Sequence, residues 1–146
     1  MTVSRRLLLL ALLLCVSRAC AARADREASS SDRLLLRRSF AFFMECRATN
    51  GLVCEGMRDR TLGSASGFGY QLAALCTGVR QGWIERADAA RQAADLIESC
   101  AHLPRFRGFW ARYYDLDRER PLALAHPLDD GADIMESAFL AAGALV

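Results

Sequence analysis

The chain has 146 residues, of which 53% are hydrophobic, 25% are charged and three are proline. This composition excludes intrinsic disorder and low complexity for the bulk of the chain. All 19 basic residues are arginine and face 17 acidic residues, but four of the arginines and none of the acids precede residue 25. The remainder is therefore slightly acidic, which excludes the basic surface that nucleic-acid binding needs.

Residues 1–24 have the three parts of a secretory signal peptide. Arg5 and Arg6 give a positive start, residues 7–16 are an unbroken apolar run, and Ala22-Arg23-Ala24 offers a cleavage site before Asp25. An apolar run of this length is too short for a transmembrane helix, which takes about 20 residues. We therefore expect a periplasmic or extracellular protein with no transmembrane span in the mature chain.

A lipid anchor at Cys20 is the minority alternative for the same segment. The leucine that usually stands three residues before a lipid-modified cysteine is replaced here by Ser17. The signal peptide with cleavage before Asp25 is therefore the preferred interpretation.

A polar linker at 25–31 precedes four predicted helices. The hydrophobic spacing predicts a first helix that begins after Ser30 or Ser31 and ends near Ala48, followed by helices over 68–81, over 86–102 and from about residue 132. Residues 51–67 are a glycine-containing loop. Residues 105–130 are an irregular aromatic segment, in which a short hairpin of 109–113 with 122–124 is one option.

Four cysteines follow the predicted signal peptide, and none has the C-x-x-C spacing of a zinc site. Cys46 and Cys54 flank a short glycine-containing stretch and could form a disulfide. Cys76 and Cys100 would be offset by about 12 Å along an antiparallel helix pair, which is beyond disulfide reach. These two are interpreted as buried thiols.

The sharpest candidate site is an acidic cluster at the start of the last predicted helix. Asp133 and Glu136 are three residues apart, so they share a helix face with Cβ atoms about 5–6 Å apart. Paired carboxylates beside an aromatic segment suit glycoside hydrolysis, which needs an acid and a base or nucleophile. Helix capping is the alternative, because acidic residues in a first turn complement the helix dipole.

Two metal-binding patterns compete with this interpretation and are weaker. Asp129, Asp130 and Asp133 spell the D-D-x-x-D pattern that holds magnesium in prenyl-diphosphate enzymes, but Gly131 interrupts it and no second motif follows. The segment from Asp115 begins like a calcium loop, but it has Arg120 in place of the required glycine. We therefore predict no cofactor and no metal.

Several segments resemble, in order, the bacterial glycoamylase-like family, which includes endo-β-1,2-glucanases and a domain of cyclic β-1,2-glucan synthases. Residues 129–140 read DDGADIMESAFL, with Gly143 after them, and are similar to the family segment D-D-G-G-D-[LI]-V-E-[TS]-A-F-L-x-x-G. Shorter matches are GFG at 67–69, GWIERADAA at 82–90, GFW at 108–110, and the pairs at 42–43, 51–52 and 59–60.

The resemblance implies an all-α fold: a partial α/α toroid, made of the N-terminal hairpins of an (α/α)6 barrel, with one long aromatic loop or short β-hairpin. It places residues 32–146 in the N-terminal third of such a domain. It also implies hydrolysis of β-glucan, with Asp133 and Glu136 as the acidic pair. Trp110, Tyr113 and Asp130 are then the expected sugar-binding residues.

The chain departs from the family pattern in three respects. Ala132 replaces a family glycine, Arg112 stands where a histidine is common, and the family domain is about three times longer. The alternative function is therefore a truncated, non-catalytic helical fragment or a module that binds sugar or a partner. Self-association through uncovered apolar helix faces would accompany it.

Overall fold

The computed structural model describes residues 29–124 and 130–146. The predicted signal peptide, Cys20 and Asp129 lie outside the described residues. Contacts divide the chain into two units, Met1–Leu35 and Leu36–Val146. Four helices and five short strands make up the described structure, so the expected helical character is accompanied by more β-structure than one hairpin.

Helix α1 spans Ser30–Glu45. Ser29, rather than Ser30 or Ser31, caps it: the Ser29 hydroxyl accepts from the Asp32 N–H at 3.1 Å, and the Asp32 carboxylate accepts from the Ser29 N–H at 3.1 Å. The predicted end near Ala48 is wrong. The chain leaves the helix at Cys46 because residues 46–48 pair with residues 52–54 as a short antiparallel hairpin.

Strand β1 (Leu62–Ser64) runs directly into helix α2 (Ala65–Arg80). The helix begins three residues before the predicted start because the Ser64 hydroxyl caps it, accepting from the Gly67 N–H at 3.1 Å. Helix α3 (Arg86–His102) has the predicted bounds. Helix α4 spans Ile134–Ala144, with Asp133 as its N-cap.

The aromatic segment contributes strands to two small sheets. The hairpin considered between 109–113 and 122–124 forms only at the end nearer its turn, where the Leu122 N–H donates to the Tyr113 carbonyl at 2.9 Å. Strands β2 (Arg105–Phe106) and β3 (Phe109–Trp110) pair with each other. Strand β4 (Tyr113–Asp115) lies between β1 and β5 (Arg120–Pro121), antiparallel to both. The two residues that join β2 to β3, Arg107 and Gly108, both have positive φ, at 51° and 90°. Such a two-residue turn matches the twist of paired strands and closes the first hairpin early.

The core of the unit Leu36–Val146 is built from side chains of α2, the end of α3, α4, the hairpin of residues 46–54 and the segment 111–116. Phe68 and Tyr114 are its largest side chains, and both are fully buried. The Tyr114 hydroxyl donates to the Pro104 carbonyl at 2.9 Å and accepts from the Ala111 N–H at 2.8 Å. Helix α2 contacts strand β1 of the three-stranded sheet, and helix α4 contacts strand β3 of the two-stranded sheet.

Gln71 is a polar residue in the core, with no accessible surface. Neither polar atom of its side-chain amide has a hydrogen-bond partner among the residues that the structure describes. We expect Gln71→Met, which keeps the shape and removes the unpaired groups, to raise the free energy of unfolding by about 1 kcal/mol. Urea denaturation would measure it, with Gln81→Met at an exposed position as the neutral control. A loss of stability in Gln71→Met would contradict this expectation.

The turn between β4 and β5 depends on the Asp115 carboxylate. It accepts from the Arg118 guanidinium at 2.8 Å and from the Arg118 and Asp117 N–H groups. The Arg118 guanidinium and these backbone donors hold the pKa of Asp115 below its usual 3.8. A lowered pKa in the folded state stabilises the fold above pH 3.8, and this contribution is lost as the pH falls towards the lowered value.

Asp115→Asn is therefore expected to lower the urea midpoint at pH 6 and to reduce the further loss on acidification to pH 3. Chemical denaturation at the two pH values would measure both effects. Asp117→Asn, an exposed position in the same turn, should keep the native pH dependence. Equal pH dependence in the native chain and Asp115→Asn would contradict the role given to this carboxylate.

The four described cysteines are free thiols. The interpretation as a buried thiol is confirmed for Cys100, whose burial raises its pKa to about 12. It is wrong for Cys76, which is a free thiol but only partly buried. The disulfide considered for Cys46 and Cys54 is not formed in the structure, although both thiols are buried. Within the described ranges, no helix is long and apolar enough to cross a membrane.

Candidate functional site

Asp133 caps helix α4, so the capping interpretation holds for this residue. Its Oδ1 accepts from the Glu136 N–H at 3.1 Å. In an ordinary capping box the third helical residue would return its side chain to the cap N–H. Here the Asp133 N–H instead donates to the Trp110 carbonyl at 2.8 Å. The Glu136 side chain is therefore not needed to complete the cap.

The Glu136 carboxylate reaches the start of another helix. Its Oε2 accepts from the Ser66 N–H at 2.9 Å, across 70 residues of sequence. Ser66 lies in the first turn of α2, where free N–H groups and the helix dipole favour a negative group. The predicted pair of Asp133 and Glu136 is therefore held between two helix N-termini, and both side chains are half-buried.

A second carboxylate, Glu55, lies at the same helix start and was missed by sequence reasoning. It accepts a short hydrogen bond from the Ser64 hydroxyl. The Ser64 and Ser66 hydroxyl oxygens are 3.2 Å apart. A polar chain thus runs from Glu55 through Ser64 and Ser66 to Glu136. The helix-cap signal at Ser64 was readable from the sequence, but the partner carboxylates were not.

Trp110 is tied into the site through its backbone. Its N–H donates to the buried Ser137 hydroxyl at 2.9 Å, and its carbonyl accepts from the Asp133 N–H. Its indole N–H donates to the Cys100 carbonyl at 2.9 Å, and the Arg105 guanidinium lies 5.2 Å from the ring centre. The indole orientation is therefore fixed by the protein. Its contact with sugar stays a prediction.

Tyr113 lies beside the start of α2. It pairs in register with Ser64, and side chains of directly opposed residues share one side of a sheet. Its ring is half-buried, and the Arg112 guanidinium lies 5.1 Å from its centre. The structure thus brings Tyr113 to the polar chain that ends at Glu136. Its role in sugar binding also stays a prediction.

Asp130 lies in a different recess. It is exposed and lines a cavity of about 170 Å³ together with Pro104, Arg105, Phe106, Ala111, Pro121 and Gly131. Ala132, which follows Asp130 by two residues, forms an isolated β-bridge with Ala111. The structure therefore places Asp130 at this recess, apart from the hydrogen bonds described for Asp133 and Glu136.

The distance between α2 and α4 sets the position of Glu136, and two glycines determine it. A Cβ at Gly143 would overlap the Gly69 carbonyl oxygen and lie 2.6 Å from the Gly69 Cα. A Cβ at Gly69 would overlap the Phe139 carbonyl oxygen and lie 2.8 Å from the Leu140 Cα. The two helix backbones are in direct contact, which brings the first turns of α2 and α4 close enough to share a hydrogen bond.

The described residues contain no group of three or more His, Cys, Asp or Glu side chains placed to hold a metal ion. Asp129, the first residue of the D-D-x-x-D pattern, lies outside them. The larger cavity of the unit, about 480 Å³, is an apolar groove between α2, α3 and α4, with Leu72, Leu75, Ala93 and Ile97 among its lining residues. It does not include the acidic pair.

Comparison with known proteins gives three informative similarities. No family model matches the chain. A curated relative, the exo β-1,2-glucooligosaccharide sophorohydrolase (non-reducing end) of Parabacteroides distasonis, is 28% identical over 111 residues, which are 73% of this chain and 15% of that protein.

Two solved structures share the fold. The endo-β-1,2-glucanase of Chitinophaga pinensis, solved with sophorotriose and glucose, matches with a TM-score of 0.71 and 21% identity over 81% of this chain and 31% of its own. The β-1,2-glucanase of Parabacteroides distasonis matches with a TM-score of 0.71 and 21% identity over 77% of this chain and 16% of its own.

The chain therefore spans less than a third of each of these proteins. The similarities extend over most of this chain and agree in kind with the ordered motifs at 67–69, 82–90, 108–110 and 129–140. The resemblance to the glycoamylase-like family of β-glucan-acting proteins is thus confirmed for the part of those proteins that this chain spans.

Proposed function

We propose that the chain forms part of an exported glycoside hydrolase that acts on β-1,2-linked glucan, with Asp133 and Glu136 as its acidic pair. The observation that carries the proposal is the position of Glu136. Its carboxylate does not accept from the Asp133 N–H, which donates to the Trp110 carbonyl. It accepts instead from the Ser66 N–H at the start of α2. The names of the relatives, which act on β-1,2-glucan or its oligosaccharides, supply the substrate class.

The pair has the features that glycoside hydrolysis needs. One carboxyl group protonates the leaving oxygen, and the other activates water or attacks the sugar. The hydrogen bonds described above use Oδ1 of Asp133 and Oε2 of Glu136. In the proposal, the second oxygen of each group, Oδ2 and Oε1, serves the substrate. The backbone donors hold both side chains in place without help from the sugar.

Trp110 and Tyr113 are the proposed sugar platforms. Aromatic faces pack on the apolar faces of sugar rings, and a ring with a fixed orientation loses little freedom on binding. Trp110 is fixed by its indole hydrogen bond and by Arg105. Asp130, at the edge of the smaller recess, is the proposed polar contact further along the sugar chain.

The fold supports a place within a larger domain. We infer that α1 to α4 correspond to the N-terminal hairpins of an α/α toroid, since the chain matches 31% of the Chitinophaga pinensis structure. Residues 1–24 would then direct export to the periplasm or the extracellular space, where a polysaccharide substrate is available.

A non-catalytic role is the second candidate, favoured by the apolar groove between α2, α3 and α4. Such a groove fits a chain that binds sugar or another protein without turnover. The two candidates differ in one measurement, the release of reducing ends from glucan.

The test incubates the chain with linear β-1,2-glucan and, separately, with β-1,3-glucan, and follows reducing ends and products by chromatography. The proposal expects β-1,2-linked oligosaccharides or sophorose from the first substrate only. Binding of β-1,2-glucan without products would favour the second candidate. Neither binding nor hydrolysis of β-1,2-glucan would refute both the hydrolase and the sugar-binding role for this chain.

A further inference from the structure

Cys46 and Cys54 are directly opposed in the short hairpin that follows α1. Arg47 and Val53 form its antiparallel bridge, with the Ala48 N–H donating to the Leu52 carbonyl at 2.7 Å and the Cys54 N–H to the Cys46 carbonyl at 2.9 Å. Opposed residues joined by such a bond have Cα atoms about 5.5 Å apart. Disulfides span Cα separations of about 4.4–6.8 Å. The backbone register therefore suits a disulfide between these two residues.

The side chains also meet. Side chains of opposed residues lie on the same side of a hairpin, and the neighbouring Cys54 side chain contributes to raising the pKa of the Cys46 thiol. The Cys46 sulfur also contacts the Met57 sulfur at 3.3 Å. Cys46 and Cys54 have 0% and 2% of their surface exposed. The two cysteine side chains are therefore buried at the base of the hairpin, and the exposed Met57 covers Cys46.

We propose that Cys46 and Cys54 form a redox pair whose disulfide locks the hairpin of residues 46–54. The oxidant is a small-molecule or protein disulfide. One cysteine thiolate attacks it to give a mixed disulfide and release one thiol, and the second cysteine then displaces the other thiol. The two cysteines lose two protons and two electrons together, and the oxidant disulfide is reduced to two thiols.

The bond forms before the core closes around the hairpin. Burial and the Cys54 side chain raise the pKa of Cys46 to about 11, so the folded thiol is both protonated and shielded. Exchange therefore takes place during folding or when the hairpin opens. The same burial then protects the finished bond from reductants.

The lock has a consequence for the candidate site. Cys54 directly precedes Glu55, which accepts from the Ser64 hydroxyl at the start of α2. A disulfide at Cys54 would fix the backbone next to Glu55 and so restrict the position of the Glu55 carboxylate at Ser64. The redox pair would thus hold one end of the polar chain that leads to Glu136, whatever the substrate of the site.

Trypsin offers a direct test, because it cleaves after Arg47, between the two cysteines. The full chain is denatured and reduced, refolded in a glutathione redox buffer, alkylated and digested without reduction. The proposal expects one disulfide-linked product that joins peptide 39–47 to peptide 48–58. It also expects oxidation to raise Tm by about 10 °C relative to the reduced chain, because the bond closes a loop in the unfolded state.

Cys46→Ser should remove both the linked peptides and the rise in Tm, and Cys76→Ser should keep both as the matched control. Recovery of peptides 39–47 and 48–58 as separate alkylated species would overturn the proposal, as would linkage of Cys46 or Cys54 to any other cysteine. Because the peptide map is made on the native sequence, this conclusion does not depend on the folding of Cys46→Ser.

Discussion

Gly143→Ala is expected to lower the free energy of unfolding by at least about 3 kcal/mol. The added methyl group would overlap the Gly69 carbonyl oxygen, and the obstacle is backbone on both sides. A flexible side chain could turn away, but here α2 and α4 must separate. Overpacking of a tight core costs about 1–3 kcal/mol, and it costs more where the neighbours cannot move. Urea denaturation followed by circular dichroism measures the change.

Gly56→Ala is the matched control, since a Cβ at Gly56 would meet no atom within 4 Å. Its effect should stay within about 0.5 kcal/mol. If Gly143→Ala unfolds at the same urea concentration as Gly56→Ala, then the two helices are not in backbone contact. Gly69→Ala provides an independent check from the other helix and should be destabilising to a similar degree.

Glu136→Gln is expected to reduce hydrolysis of β-1,2-glucan by about 10²–10⁴-fold, the range that an acid or base contributes. Glutamine keeps a side-chain oxygen to accept from the Ser66 N–H, so the link between α4 and α2 remains. Asp133→Asn should have a similar effect on the rate, and asparagine caps a helix about as well as aspartate. Initial rates of reducing-end release measure both changes.

These two variants separate chemistry from folding. Their urea midpoints should match that of the native chain, whereas Asp133→Ala should lose about 1 kcal/mol through the missing cap. Glu98→Gln, at an exposed position on α3, makes the same chemical change away from the site and should keep full activity. Activity unchanged in both Glu136→Gln and Asp133→Asn would refute the assignment of the acidic pair.

The parts of the fold that could be predicted are those determined by residues close together in the sequence. The bounds of α3 follow from its apolar spacing and from Pro104 just beyond its end. The acidic first turn of α4 was readable because Asp133 and Glu136 are three residues apart. The α1 boundary was missed because the residues after Glu45 pair with 52–54, and that pairing competes with continued helix.

The site could be predicted only in part, because its contacts are long-range. The hydrogen bond from Ser66 to Glu136 crosses 70 residues, and no local pattern reports it. In the sequence, Glu55 is one acidic residue of a loop, and only the fold brings its carboxylate to the Ser64 hydroxyl. The hairpin considered between 109–113 and 122–124 forms only where Tyr113 pairs with Leu122. Its outer part is absent because the turn at Arg107, with positive φ, pairs 109–110 with 105–106 instead.

The fixed indole of Trp110 can serve as an intrinsic fluorescent probe of the candidate site. The sequence has two tryptophans, Trp83 and Trp110, and Trp83 packs against Phe40 away from the acidic pair. A chain carrying Trp83→Phe would emit from Trp110 alone. Because that indole is bound to the end of α3 and its backbone to Asp133, its emission wavelength would report a separation of α4 from β3, and its quenching would report the proposed binding of sugar.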